Sequence, residues 1–251
     1  MSELEPDCVR PLLRGVFGDP YLYLAEIGST QDVLRDADHP HGAVAVAEHQ
    51  TAGRGRSGRR WDDAASTALL FSVLLRPPAA APLPQLSLVA GLAVAEALER
   101  ETGAGTRVKW PNDVLINSAK VAGVLLEAAG SVVVCGIGVN INQTEGELPA
   151  VTRTPATSLR IVCGREFNRG GILASILVAL EGRYGDWLVG GLESLQGHIE
   201  ERNVLRGRRV RVGGRAGVAG PIAPDGRLSI TLDRGDVVLV ESGEVELGAD
   251  A

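Results

Sequence analysis

Two textures divide this chain, and the division limits its fold more than any single motif does. Up to about residue 205, long apolar runs stand beside helical stretches. From about Gly207 onward, short alternating segments are separated by GG, DG, RGD and SG turns. RVRV, for example, puts Val210 and Val212 on one face and Arg209 and Arg211 on the other. Asp225-Gly226 is a strong hairpin signal. About forty-five residues of this kind predict a small β-barrel or sandwich. We therefore expect two units, residues 1–205 and residues 206–251.

The first unit starts with a leader, 1–20, helical in part. YLYLAEI (21–27) reads as a strand. GSTQDVLRDA starts a helix, with Ser29 at the N-cap and Asp32 three residues on, the capping-box spacing. The Ser29 and Thr30 hydroxyls could instead face a ligand. GAVAVAEHQ (42–50) and STALLFSVLLR (66–76) read as strands, and PPAAAPLP as a connector. QLSLVAGLAVAEALERETG (85–103) is the clearest helix, stopped by Gly103. VLI, the turn NS and AKVAGVLLEAA predict a hairpin, and SVVVCGIGVNIN (131–142) another buried strand. Residues 143–157 read as a loop, followed by two helices near 168–184 and 187–201. Strands and helices do not alternate regularly. That predicts an α+β mixed sheet with packed helices rather than a doubly wound parallel one.

Composition excludes several classes. A chain of 251 residues that is 45% hydrophobic can build one substantial core. It has no run of eighteen apolar residues, so no membrane span is expected. MSELEPDCVR is acidic and lacks the apolar stretch of a signal peptide. Cys8, Cys135 and Cys163 are far apart and form no CxxC pair, which predicts reduced thiols in the cytoplasm. His39 and His41 flank a proline, the spacing of a turn rather than of metal ligands. A net charge of −6, with aromatics at only 4%, argues against a general nucleic-acid binder. A local anion site remains open.

TAGRGRSGRRW (51–61) points to such a site. Gly53, Gly55 and Gly58 match GxGxxG, but a dinucleotide site needs a helix next, and RRWDDAAS does not supply one. The alternatives are a solvated surface loop and an anion clamp. The glycines favour the clamp, because they let backbone and guanidinium groups close on a ligand. Such a loop should order when an anion arrives. KWPND (109–113) sets Lys109 and Trp110 beside Asn112, which could bond a nucleotide, and Asp113, which could hold Mg²⁺; an Asx turn is the alternative. Lys120 shares one strand face with Ala122, Val124 and Leu126 by period two. It either reaches water from a strand end or aims at an anion. Gly136 and Gly138 either admit a ligand or pack tightly, with Asn140 as a polar handle. The basic run RGRRVRVGGR (206–215) reads as a solvated strand face.

The order of these motifs carries more than any one of them. GST, EHQTAGRGRSGRRW, VKWPND, AKVAGVLLE, GIGVNIN and a small C-terminal β unit follow one another as in biotin–protein ligases, and the chain resembles that family over roughly residues 21–247. The resemblance implies a mixed sheet related to class II aminoacyl-tRNA synthetase cores plus a Src-homology-type small barrel. It implies a reaction in which ATP activates biotin to biotinyl-5′-AMP. A lysine amine on the biotin carboxyl carrier domain of an acetyl-CoA, acyl-CoA or pyruvate carboxylase then takes the biotinyl group. By the same resemblance Ser29, Thr30, Gln31, Gln50 and Gly123 would bind biotin, with Gly53, Arg54, Gly55 and Arg56 as the loop that closes over it. Arg54, Arg56 and Lys120 would be catalytic, Lys120 touching both biotin and phosphate. Trp61, Lys109, Asn112 and Asn140, with Arg56, would serve the nucleotide, and Asp113 would hold Mg²⁺. Gln31 stands where many relatives carry Asn. Only about twenty residues precede the first strand, so a ligase without a helix-turn-helix module, and without specific DNA binding, is expected. A lipoate-type ligase on a related fold and a non-catalytic nucleic-acid-binding protein are the competing readings.

Overall fold

Apolar runs too continuous for a half-exposed strand belong in the middle of a sheet covered on both faces. The computed structural model, which describes residues 2–35, 38–61, 66–79, 81–82, 84–149, 154–241, 243 and 245–247, puts them there. Seven strands form one sheet: β1 (Tyr21–Ile27), β2 (Val44–Gln50), β3 (Ala68–Leu75), β4 (Thr106–Lys109), β5 (Asp113–Ile116), β6 (Ala119–Ala129) and β7 (Val132–Asn140). Their order is β1-β2-β3-β7-β6-β5-β4. β1 and β2 are parallel and the other neighbours antiparallel, so the sheet is mixed. β3 and β7, the two most continuous apolar runs, lie side by side at its centre and pair from Ala68↔Asn140 to Leu75↔Val133.

Period two then sorts their side chains. Leu69, Phe71, Val73, Leu75, Val133, Cys135, Ile137 and Val139 join the main core. That core also takes the buried sides of two long helices, which by chain order are the third and fifth of six among the described residues. The first two are α1 (Pro6–Val9) and α2 (Thr30–Leu34); the others are α3 (Gln85–Thr102), α4 (Leu159–Cys163), α5 (Arg169–Gly190) and α6 (Gln196–Arg202). On the other face Ala43, Ala45, Leu74, Val132 and Val134 form a smaller cluster with Leu34 of α2. α3 ends as its sequence predicts, with Gly103 in the left-handed region at φ 71°. The pair of helices expected at 168–184 and 187–201 is instead one long helix, a 3₁₀ turn (Leu192–Leu195) and a short α6. The helix continues because Trp187 is buried on its inner side and donates its indole N–H to Gln85 Oε1 at 2.7 Å. Gly191, at φ 61°, ends it one turn later.

The C-terminal texture becomes a five-stranded antiparallel sheet of β8 (Arg209–Val212), β9 (Arg215–Ile222), β10 (Leu228–Leu232), β11 (Val237–Val240) and β12 (Val245–Leu247). The order is β11-β10-β9-β8-β12. Val210 and Val212 are buried while Arg209 and Arg211 are exposed, as the alternation predicts. The Asp225-Gly226 turn, with Gly226 at φ 89°, meets the larger unit. Trp110 donates its indole N–H to Gly226 O at 2.9 Å, and Gln85 Nε2 donates to Pro224 O at 2.8 Å. Gln85, only 5% exposed, thus joins α3, α5 and the small sheet through one amide. Gln85→Met keeps its volume but orphans the Trp187 indole and the Pro224 carbonyl. The expected loss of unfolding free energy in urea is about 2–4 kcal/mol.

Candidate active site

A sheet face can hold a ligand only where its side chains are missing. On the face opposite α3 and α5 the glycines of GVLLE and GIGVN fall into neighbouring rows. Leu70, Gly138, Gly123 and Asp113 pair across β3, β7, β6 and β5. Beside them Ser72, Gly136 and Leu125 pair across β3, β7 and β6. The result is a trough of about 460 Å³, within the usual range for a small-molecule site. The side chains of Trp61, Gln31 and Lys120 lie over its glycines. A Cβ added at Gly138 would stand 2.6 Å from the Trp61 indole, and one at Gly136 would stand 2.9 Å from Gln31. Trp61 Nε1 is buried without a hydrogen-bond partner among the described residues.

The end of the trough beneath α2 is neutral and polar. Ser29, Thr30, Gln50 and Ser72 are all buried. Thr30 N and Oγ1 both donate to Gln50 Oε1, at 2.7 and 3.1 Å, and Thr30 Oγ1 lies 2.8 Å from Ser72 Oγ. Ser29 occupies the N-cap position, yet its side chain makes no cap hydrogen bond and lines the trough. The expected capping box is therefore absent, and Asp32 is engaged elsewhere. Gln31 donates its amide to Leu125 O at 3.1 Å.

The end over β5 and β6 is charged. Lys120 does not share a face with Ala122 and Val124, as period two had implied. The register shifts from Val114↔Ala122 to Leu115↔Lys120, which inserts Val121 as a bulge and reverses the phase. Val121, Ala122 and Val124 are buried in the core, whereas Lys120 turns to the Gly123 side. Its Nζ lies 2.6 Å from Asp113 Oδ1 and 5.4 Å from the centre of a Trp61 ring. Asp113 is the only acidic residue lining the trough among the described residues. No group of three or more potential metal ligands occurs among them.

TAGRGRSGRRW folds as a small hairpin at the mouth. Trp61 N donates to Gly53 O at 3.0 Å, Gly55 N donates to Arg59 O at 2.8 Å, and Arg54 bridges to Arg60. Ser57 and Gly58, at φ 58° and 72°, make its tip. Gly58 itself lies in a 3₁₀ turn (Arg56–Gly58), and the chain returns from it to the Arg54–Arg60 bridge rather than into a helix, so the dinucleotide fingerprint does not apply. The arginines differ in what they face. Arg59 Nε and Arg60 donate to the loop's own carbonyls, Arg56 O and Thr51 O. Arg54 bonds carboxylates. Arg56 lines the trough, and its guanidinium has no hydrogen-bond acceptor among the described residues. Burial lowers its guanidinium pKa, and the Asp113 charge offsets part of that.

The remaining nucleotide-side candidates also line the trough. Lys109, buried, donates to Thr154 Oγ1 at 2.8 Å. Asn112 donates to Val124 O at 2.8 Å and clasps β6. Asn140 donates to Thr157 O and accepts from Gln143 Nε2. Both amides thus hold backbone in this structure. Residues 150–153 of the expected 143–157 loop lie outside the described residues. Sequence reasoning passed over Ser72, Glu127, Thr154 and the C-terminal lining residues Gly243 and Val245. Ser72 had a signal, since it is the lone hydroxyl of the strand ALLFSVLL. Gly243 and Val245 had none, because only the folded chain brings them near.

Comparison with known proteins gives the chain's family. Residues 24–143 match the model of the biotin/lipoate A/B protein ligase family. The bifunctional ligase/repressor BirA of Bacillus spizizenii is 34% identical over 93% of this chain and 75% of that protein. The biotin–[acetyl-CoA-carboxylase] ligase of Mycobacterium tuberculosis is 38% identical over 88% of this chain and 86% of that protein. The structure of biotin protein ligase from Aquifex aeolicus in complex with biotin and ATP superposes with a TM-score of 0.83 at 34% identity, covering 90% of this chain and 97% of that one. The chain belongs to the biotin/lipoate protein ligase family.

The packing of Trp61 on a glycine floor gives a direct check. Gly138→Val should push the indole out of the trough and shift tryptophan emission to the red. The expected overpacking cost is about 1–3 kcal/mol. Unchanged emission and stability would show that Trp61 does not lie over Gly138.

Proposed function

We propose that this chain is an ATP-dependent biotin–protein ligase, and that the trough binds biotin and the nucleotide end to end. The observation that carries the reading is the order of chemistry along it. It runs from β3 to β5, three strand spacings or about 14 Å, from a neutral hydrogen-bonding end through a glycine floor to a cationic end. A ureido ring suits the first and its apolar chain the second. A carboxylate meeting a phosphate suits the third.

In the first step a biotin carboxylate oxygen attacks the α-phosphorus of ATP. The Pα–O bond to the β-phosphate breaks and pyrophosphate leaves. Two anions must approach, and Arg56 and Lys120 would offset their repulsion and the charge developing on the phosphoryl oxygens. ATP enters as its magnesium complex. Asp113 alone, paired to Lys120, does not make a resident metal site, but one carboxylate added to phosphate oxygens is a usual magnesium environment. In the second step a lysine amine of the carrier attacks the acyl carbon. The acyl–oxygen bond breaks, AMP leaves and the amine loses a proton. We assign the carrier to an acetyl-CoA carboxylase or a similar biotin-dependent carboxylase, such as pyruvate carboxylase. We also assign residues 1–205 as the catalytic unit, 206–251 as a C-terminal unit whose Gly243 and Val245 line the cavity, and the cytoplasm as the compartment. The thiols of Cys8, Cys135 and Cys163 are free, and no helix among the described residues is long and apolar enough to cross a membrane.

ATP–pyrophosphate exchange with biotin, lipoate or no acid tests the reading. Exchange should require biotin, and exchange with lipoate instead would overturn the pocket assignment. Lys120→Ala should lower the exchange rate about 10²–10³-fold while leaving the urea midpoint nearly unchanged. Turnover close to wild type would remove Lys120 from the chemistry.

A further inference from the structure

The sequence made Arg54 an anion-binding residue, and its surroundings argue otherwise. Its guanidinium makes four hydrogen bonds to two carboxylates. NH1 and NH2 donate to Asp32 Oδ2 and Oδ1, both at 2.9 Å. Nε and NH2 donate to Glu127 Oε1 and Oε2, at 2.9 and 3.1 Å. Two-pronged pairing of this kind fixes direction as well as charge. Arg35 bonds the same Glu127 at 2.8 Å and lies 3.3 Å from Asp32. Two cations and two carboxylates leave the cluster neutral, so it offers an incoming anion no net attraction. Its members come from three places: the hairpin, α2 with its C-cap Arg35, and β6. Two residues along the hairpin, Arg56 faces the trough.

We infer that Arg54 is a positioning residue, and that Arg54, Asp32 and Glu127 form a latch that holds the 53–61 hairpin shut and delivers Arg56 and Trp61 to the trough. The inference rests on the ligase reading for its kinetic test and on geometry alone for its physical one. A latch sets the fraction of molecules with the hairpin closed. Losing it should weaken apparent substrate affinity by that fraction and leave the chemical step of the closed form as it was.

The variants are Asp32→Asn, Glu127→Gln and the two combined. Hydrogen exchange of residues 53–61 and the KM and kcat of biotin-dependent exchange are measured on the full chain. The neutral variants should speed amide exchange in the hairpin at least tenfold and raise the KM for biotin about tenfold, with kcat within about twofold. The combined variant should lose more of both than either substitution alone. Unchanged hairpin exchange in the neutral variants would overturn the latch. So would a fall in kcat at constant KM, which is the mark of a direct contact to the reacting groups. If the wild type shows no biotin-dependent exchange, the ligase reading fails on its own. Hairpin protection in wild type and variants then still decides the latch.

Discussion

Everything at this site depends on one steric constraint, which is that a well-packed sheet must leave room on one face without losing its core on the other. Gly123, Gly136 and Gly138 meet it. Their strands are paired along their whole length, and their alternate residues, Val124, Cys135, Ile137 and Val139, are buried in the main core. Removing side chains from only one face preserves that burial and its stabilisation, roughly 1.5–3 kcal/mol for each large apolar side chain. Trp61 and Gln31 lie on the glycines, so the floor is shaped by residues from a hairpin and a short helix. Those elements can be repositioned without disturbing the sheet.

Charge is distributed to match. The chain is acidic overall, yet among the described residues its cavity lining carries Arg54, Arg56, Arg59, Arg60, Lys109 and Lys120 against Asp113 alone. These cations are not equivalent. Arg54 is neutralised by carboxylates, and hydrogen bonds to it hold the Asp32 carboxyl below its usual range. Lys120 is paired with Asp113. Arg56 is left to face the trough. A cation with no competing carboxylate in contact loses the least on binding an anion, because no existing pair must be broken. In the proposed ligase the site would separate holding from acting, with Arg54 fixing the hairpin and Arg56 facing the substrate.

Much of this was legible in the sequence, for identifiable reasons. The central strands and α3 declare themselves through continuous apolar runs and a 3.6-residue period, and these signals are local. The motif order marked the trough because its glycines, the arginine loop and KWPND lie on consecutive strands and connections. What could not be read was relational. The bulge at Val121 reverses the face of Lys120, and only its register with β5 shows it. Asp32 reads as half of a capping box until Arg54 is seen beside it. The long α5 reads in the sequence as two helices, while the Trp187 contact that carries it through is made to Gln85, 102 residues away.

The most direct measurement is the intact mass of an isolated biotin carboxyl carrier domain after incubation with the protein, biotin and the magnesium complex of ATP. The account requires a gain of one biotinyl group, at a single lysine, only when biotin and ATP are both present, with AMP released in equal amount. A carrier left unmodified while the protein forms biotinyl-adenylate, or one that gains a lipoyl group in its place, would contradict it.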